Sequence, residues 1–288
     1  MNLENIRECE APRSSELVIV RPENSVSPVP ILLAPGFANN AESYSGFMQQ
    51  MSRHGRTIVC PNYDLNDRRR LGIFPDVNAV KEEALLSAIQ QVGFPDEKGI
   101  PVVDAIAHSL GGIDLILIAR KHPENFRSIV LLATNGLHPK MGIIDSVKRL
   151  YIGEKTDSID RNRLAQQDPT AAGIITAGKE FSKTHRQKIT TIFPEVRRAG
   201  FQTIQQYFPE LRAAGVKIII TRMLDDSRFL PTSYDPYVNQ ADETISLPGI
   251  HADVKYRPSF IAQELSDLLS HQNLDRNRSL HAIDSKIQ

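Results

Sequence analysis

Ser109 stands where a hydroxyl could become a nucleophile. It lies in Ala107-His108-Ser109-Leu110-Gly111, between an apolar run, Pro101 to Ile106, and a segment of helical periodicity, Leu110 to Lys121. A strand that enters a helix through a tight turn lifts its apex side chain clear of the backbone, beside the unpaired N–H groups of the helix start. The small residues Ala107 and Gly111 flank the apex and relieve crowding there. The plainer alternative is a helix N-cap, in which the serine hydroxyl accepts a backbone N–H.

A serine hydroxyl is a poor nucleophile until a base takes its proton, so Ser109 requires a histidine from another loop. Of eight histidines, His251 follows the last β-rich run, within Leu-Pro-Gly-Ile-His-Ala-Asp. His54, His122, His185, His271 and His281 lie in polar or helical settings that suit a surface. His108 adjoins the serine, but neighbouring side chains at such a turn point in different directions. His138, after the run ending at Ala133, is a candidate pocket-lining residue. An acid that orients His251 and stabilises its cation belongs between serine and histidine in chain order. Asp226 and Asp225 share the loop from Met223 to Pro231. Asp226 is preferred because it is nearer the Ser227-Arg228-Phe229-Leu230-Pro231 segment, and Asp225 is the alternative. The turn after the preceding strand, Thr134-Asn135-Gly136, offers no carboxylate.

The elements that must position these groups alternate in type. β-rich runs at Glu16 to Val20, Pro30 to Ala34, Thr57 to Cys60, Pro101 to Ile106, Phe126 to Ala133, Val216 to Thr221 and Glu243 to Leu247 are interleaved with helical spacing. The helical segments are Glu42 to Arg53, Val77 to Val92, Leu110 to Lys121, Glu195 to Ala213 and Ser259 to Leu269. This α/β alternation predicts βαβ crossovers and a mostly parallel sheet flanked by helices. Between His138 and Pro194 the rhythm breaks, since Met141 to Tyr151 and Ala171 to His185 are helical with no β run between them. The expected organisation is therefore a core of residues 1–137 and 195–270, a helical cap insertion at 138–194, and a polar tail at 271–288. The cap residues Ile143, Ile144, Val147, Leu150 and Tyr151 would both pack on the sheet and roof a pocket.

Composition narrows the function classes. The chain has 288 residues, enough for a sizeable core, and its 34 Lys and Arg balance its 34 Asp and Glu. No net positive field favours nucleic acid, and the cluster Arg68-Arg69-Arg70 reads as a solvated loop. Cys9 and Cys60 fall in no CxxC or zinc spacing, which fits a reducing, cytoplasmic setting. No basic-then-apolar leader opens the chain, and no apolar run reaches the ~18 residues of a membrane span. Gly173 to Lys179 has phosphate-loop spacing, but Glu180 replaces the Ser or Thr that would hold magnesium. Gly111-Gly112 lacks the rest of a dinucleotide fingerprint, and Asp157, Asp160 and Asp168 match no calcium loop. No metal and no cofactor are expected.

Four motifs in order, Ala-Pro-Gly-Phe-Ala from Ala34, Ala-His-Ser-Leu-Gly-Gly from Ala107, Leu-Asp-Asp-Ser-Arg-Phe-Leu-Pro from Leu224 and Pro-Gly-Ile-His-Ala from Pro248, resemble the α/β-hydrolase superfamily. The resemblance runs from about Leu17 to Leu269 and implies the α/β-hydrolase fold. It also implies a serine hydrolase that cleaves a carboxylic ester or thioester with an apolar moiety through an acyl-enzyme on Ser109. His251 would act first as base and then as acid, oriented by Asp226, with an oxyanion hole from the backbone N–H groups of Phe37 and Leu110. Departures from the family pattern are Ala107 for the first glycine of Gly-x-Ser-x-Gly, Pro35-Gly36 for the usual His-Gly, and Leu65-Asn66-Asp67-Arg68 for a Gly-rich turn. A serine apex disfavours the epoxide-hydrolase and haloalkane-dehalogenase variants, which use aspartate. The same groups would serve an acyltransferase or lyase, or a non-catalytic protein that binds a small molecule. In each case the expected partner is a small molecule.

Overall fold

The computed structural model describes residues 17–36, 39–63, 77–137, 202–226, 229 and 234–269, with isolated helical positions at 159, 162, 163 and 166. The apolar runs pair into one sheet of β1 (Leu17–Val20), β2 (Ile31–Ala34), β3 (Ile58–Pro61), β4 (Phe94–Pro95), β5 (Pro101–His108), β6 (Phe126–Leu132), β7 (Lys217–Met223) and β8 (Glu243–Leu247). The order is β1-β3-β2-β5-β6-β7-β8, with β4 beside β5. β1 and β4 pair antiparallel with their neighbours, and every other pairing is parallel. The expected mostly parallel α/β sheet is what forms.

Each central strand is apolar on both faces because helices cover both. Strand side chains alternate sides, so Leu32, Ala105, Ile129 and Ile218 face one core while Ile31, Ile106, Val130 and Ile219 face the other. The first core is closed by α2 (Val77–Val92), α3 (Gly111–Lys121) and α4 (Phe208–Ala213). The second is closed by α1 (Ser45–Arg53), α5 (Asp253–Tyr256) and α6 (residues 258–269). Among the described residues no helix is long and apolar enough to cross a membrane.

Some boundaries differ from expectation for local reasons. The segment expected as one helix from Glu42 opens with a 3-10 turn, Ala41–Tyr44, before α1; Asn40 Oδ1 takes the Ser43 N–H at 3.3 Å and Asn62 Oδ1 takes that of Ala41 at 2.8 Å. Of the expected Glu195 to Ala213 helix, residues 202–204 are not helical, and a 3-10 turn, Gln205–Tyr207, precedes α4. Pro209 explains the break, since a proline lacks the N–H of a helix interior yet fits the first turn. β5 runs on to His108, and β6 stops at Leu132 because Ala133 turns to φ 45°. Apart from the four isolated helical positions, the expected cap at 138–194 lies outside the described residues, as do His138, Arg68 to Arg70, Cys9, Asp157, Asp160, Asp168, the Gly173 to Lys179 loop and the tail at 271–288.

Two close fits hold β5 and its helix in place. α3 lies so near β2 that a Cβ on Gly111 would stand 2.3 Å from the Ala34 carbonyl oxygen, backbone against backbone. On the opposite face of β5, Asp104 is 0% exposed. Arg56 Nη2 donates to its Oδ2 at 2.5 Å, Arg127 Nε and Ser128 Oγ donate to Oδ1 at 2.8 and 2.6 Å, and Arg127 Nη2 donates to Oδ2. Burial alone would raise the Asp104 pKa. The hydrogen bonds and charge of Arg127, with the charge of Arg56 and the Ser128 hydroxyl, outweigh burial and hold the carboxyl below its usual range.

Removing one partner of such a buried pair leaves an uncompensated charge. Asp104→Asn is expected to lower unfolding free energy by about 3–5 kcal/mol, read from urea titrations at neutral pH. Because the folded-state pKa is depressed, the Asp104 contribution is present above the unfolded carboxylate value of ~3.9 and is lost as pH falls through the folded value. The gap between wild type and Asp104→Asn should therefore close on acidification below about pH 4. Gly111→Ala should cost about 1–3 kcal/mol in the same titration, because β2 must shift to admit the methyl; an unchanged midpoint would refute the close fit.

Candidate functional site

The loops after β2, β5, β7 and β8 all leave the C-terminal ends of parallel strands, the edge at which open α/β sheets bind ligands. At the end of β5, Ser109 adopts φ 54°, left-handed for a residue with a side chain. Its N–H donates to Leu132 O at 3.2 Å, and its carbonyl accepts from Gly112 N–H at 3.2 Å and Asn135 N–H at 3.0 Å. These bonds fix the turn from β6 and from α3 at once. The residue capping α3 is Leu110, with no side-chain cap bond, so Ser109 does not act as the capping hydroxyl. A Cβ on Gly36 would lie 2.9 Å from Ser109 Cβ, so a glycine there lets the β2 loop approach the turn.

His251 and Asp226 are brought together by the last two loops. The two aspartates part ways: Asp226 is 2% exposed and Asp225 is exposed. Asp226 Oδ2 faces His251 Nδ1 at 2.9 Å, while its Oδ1 accepts the Phe229 N–H at 2.9 Å. A carboxylate only accepts, so His251 carries its proton on Nδ1 and keeps the Nε2 lone pair available. The Phe229 ring stands 5.2 Å from the His251 ring, centroid to centroid, and gives the site an apolar wall. Asp225 instead joins the loops, its N–H donating to Gly249 O at 2.8 Å and its Oδ2 accepting Gly249 N–H at 3.0 Å. His251 is 5% exposed and Ser109 8%. Leu110 begins α3, where N–H groups have no intrahelical acceptor; Phe37 lies outside the described residues.

His108 reaches toward the loop that carries His251. Its ring sits 4.8 Å from that of His251, Nδ1 lies 2.8 Å from the Tyr44 hydroxyl, and Nε2 lies 2.9 Å from the His251 carbonyl oxygen. The Tyr44 hydroxyl also accepts the Gly36 N–H at 2.9 Å. Beside them Lys255 Nζ donates to Asn39 Oδ1 at 2.5 Å and lies 5.4 Å from the centre of the Tyr44 ring. Tyr44 and Lys255 carried no signal in the sequence. His108 did, since an imidazole at the end of an otherwise apolar buried run must find polar partners. Cys60, a nucleophile by type, is buried in β3, where burial raises its thiol well above the usual range and leaves it a packing residue.

Residues 29–150 match the family model described as the α/β hydrolase fold. No curated protein matches the chain in sequence. Among solved structures, the chain is similar to an esterase from Exiguobacterium antarcticum, at 11% identity and a TM-score of 0.61, over 90% of this chain and 97% of that one. It is similar to proline iminopeptidase of Mycobacterium smegmatis, at 14% identity and a TM-score of 0.55, over 92% and 97%. The thioesterase domain of the curacin biosynthetic pathway is similar at 15% identity and a TM-score of 0.57, over 93% and 99%. Likeness at these identities speaks to fold, and it agrees with the match over residues 29–150 in showing the α/β-hydrolase fold.

Proposed function

We propose that the protein is a serine hydrolase that cleaves a carboxylic ester or thioester with an apolar moiety. The observation that carries this reading is the buried Asp226–His251 pair, whose loop is tied through His108 to the strained turn bearing Ser109. Ser109 Oγ attacks the acyl carbon as its proton passes to His251 Nε2, and the carbonyl electron pair moves onto oxygen. The N–H groups of Leu110 and Phe37 receive that oxyanion, aided by the positive end of α3. When the tetrahedral species collapses, the leaving group departs with the proton held by His251. Water, deprotonated by His251, then attacks the acyl-enzyme, and Ser109 is released with its proton restored. Asp226 fixes the His251 tautomer and stabilises its cation throughout.

The Phe229 ring beside His251 supports an apolar group near the scissile bond. The structural neighbours include an esterase, an iminopeptidase and a thioesterase domain, so fold alone selects no substrate and the side chains around Ser109 must do so.

With p-nitrophenyl esters of short and medium chain length, Ser109→Ala is expected to lower kcat by about 10⁴-fold or more and to abolish labelling by a fluorophosphonate probe. Undiminished turnover in that variant would remove Ser109 from the mechanism, and a wild type that binds esters without labelling or turnover would mark a non-catalytic binding protein. Asp226→Asn should lower kcat by about 10⁴-fold with the site geometry intact. Asp225→Asn should act mainly on stability, and an equal loss of kcat there would sink the assignment to Asp226. Product analysis with competing alcohols separates hydrolysis from acyl transfer.

A further inference from the structure

We propose that Tyr44 and His108 are positioning residues that form a neutral hydrogen-bond relay, Gly36 N–H to Tyr44 O–H to His108 Nδ1 and His108 Nε2–H to His251 C=O, clamping three loops of the site together. The inference rests on the serine-hydrolase reading for its catalytic consequence, and on geometry alone for the relay. Nothing local accounts for these contacts: 64 residues separate Tyr44 from His108 and 143 separate His108 from His251.

The direction of each bond follows from donor chemistry. The His251 carbonyl can only accept, so His108 Nε2 carries a hydrogen. The Gly36 N–H can only donate, so it occupies one lone pair of the Tyr44 oxygen. A neutral His108 then presents the Nδ1 lone pair to the Tyr44 hydroxyl, whose hydrogen completes the chain at 2.8 Å. Tyr44 is fully buried, and burial raises its pKa far above the usual value, so the hydroxyl keeps the hydrogen that the relay needs.

The relay touches the site at the three places where spacing matters. Gly36 immediately precedes Phe37, a proposed oxyanion donor, and packs against Ser109 Cβ. His108 immediately precedes Ser109. The His251 carbonyl belongs to the proposed base itself. One ring thereby sets the distances among the oxyanion loop, the nucleophile and the base, while Asp226 sets only the orientation of His251 about its own ring. Displacements of about 1 Å among such groups cost up to roughly 100-fold in rate, without a matching loss of substrate binding.

Two measurements test the relay. In wild-type protein at neutral pH, two-bond ¹H–¹⁵N correlation spectra should show His108, assigned by its loss in His108→Gln, as the neutral Nε2–H tautomer. An Nδ1–H tautomer or an imidazolium overturns the relay, whatever the protein hydrolyses. In ester kinetics, Tyr44→Phe and His108→Ala should each lower kcat by about 10- to 100-fold with KM changed by less than about 3-fold. His108→Gln, whose amide N–H can reach the His251 carbonyl, should recover part of the loss. The double variant Tyr44→Phe with His108→Ala should be little worse than the poorer single variant, because both cut one chain. Wild-type kcat in a folded single variant, or losses that multiply in the double, overturns the positioning role. A wild type inert to esters and to fluorophosphonate removes the hydrolase reading, while the tautomer still decides the relay.

Discussion

The left-handed turn at Ser109 is a conformation that costs a non-glycine residue about 1–3 kcal/mol, and it persists only because the surroundings leave no alternative. What excludes the alternatives is the pairing of β5 with β6. His108 lies opposite Leu132 in that parallel register, so the Ser109 N–H meets the Leu132 carbonyl and the Ser109 carbonyl meets the Asn135 N–H. The turn is thus an extension of the sheet's hydrogen bonding beyond its last paired residues. Its tightness also demands room, which Gly36 and Gly111 supply by letting β2 and its loop lie against the elbow. Strand pairing, glycine placement and the strained residue form one constraint.

β5 carries two polar devices on the same face, at Asp104 and His108, with Ile106 between them in the apolar core. Both reach to the ends of α1. Arg56, just after that helix, holds Asp104, and Tyr44, just before it, holds His108. The helix is therefore stapled at both ends to the strand that delivers Ser109. The chemistry of the two staples differs with their position. Mid-strand, far from any ligand edge, a carboxylate is stabilised by two guanidinium groups and a hydroxyl; at the strand end, the contacts form a chain of neutral partners. Neutrality at that end has a physical advantage. A fixed charge at His108, its ring 4.8 Å from the His251 ring, would bias the very proton transfer that His251 is proposed to perform.

The elements were legible because their periodicities differ. Runs such as Phe126 to Ala133 and Val216 to Thr221 are too short and too apolar for surface helices, while the spacing from Val77 to Val92 suits a single helix face. The strand-turn-helix at Ser109 could be read for the same reason, and so could the placement of His251 and the two aspartates after late strands. What could not be read was set by contacts between distant segments. Tyr44 lies in a stretch with helical spacing, and nothing in that spacing reveals that its hydroxyl meets His108. Pro209 is a readable breaker, but the apolar spacing across it is continuous, so that spacing alone predicts one helix. β4, two residues long, is placed by its pairing with β5 and is too short to show a periodicity of its own.

The choice between Asp225 and Asp226 shows how a single residue of register decides chemistry. β7 and β8 are paired through Met223 and Leu247, and the pairing continues past the strands as Leu224 N–H donates to Leu247 O and Asp225 N–H to Gly249 O. Met223 to Asp226 then form a turn, closed as the Asp226 N–H donates to Met223 O at 3.2 Å, and on that turn the two aspartates face opposite ways, Asp225 exposed and Asp226 buried. Asp225 faces outward, and its carboxylate closes on the Gly249 N–H, which fixes the start of the loop that carries His251. Asp226 faces inward, is desolvated, and finds the His251 ring. A slip of one residue in β7 would put Asp225 in the inward place, one residue further along the chain from the Phe229 N–H that now holds the inward carboxylate. The two acids are consequently not interchangeable donors of negative charge: one sets where the loop lies, and the other meets what the loop brings.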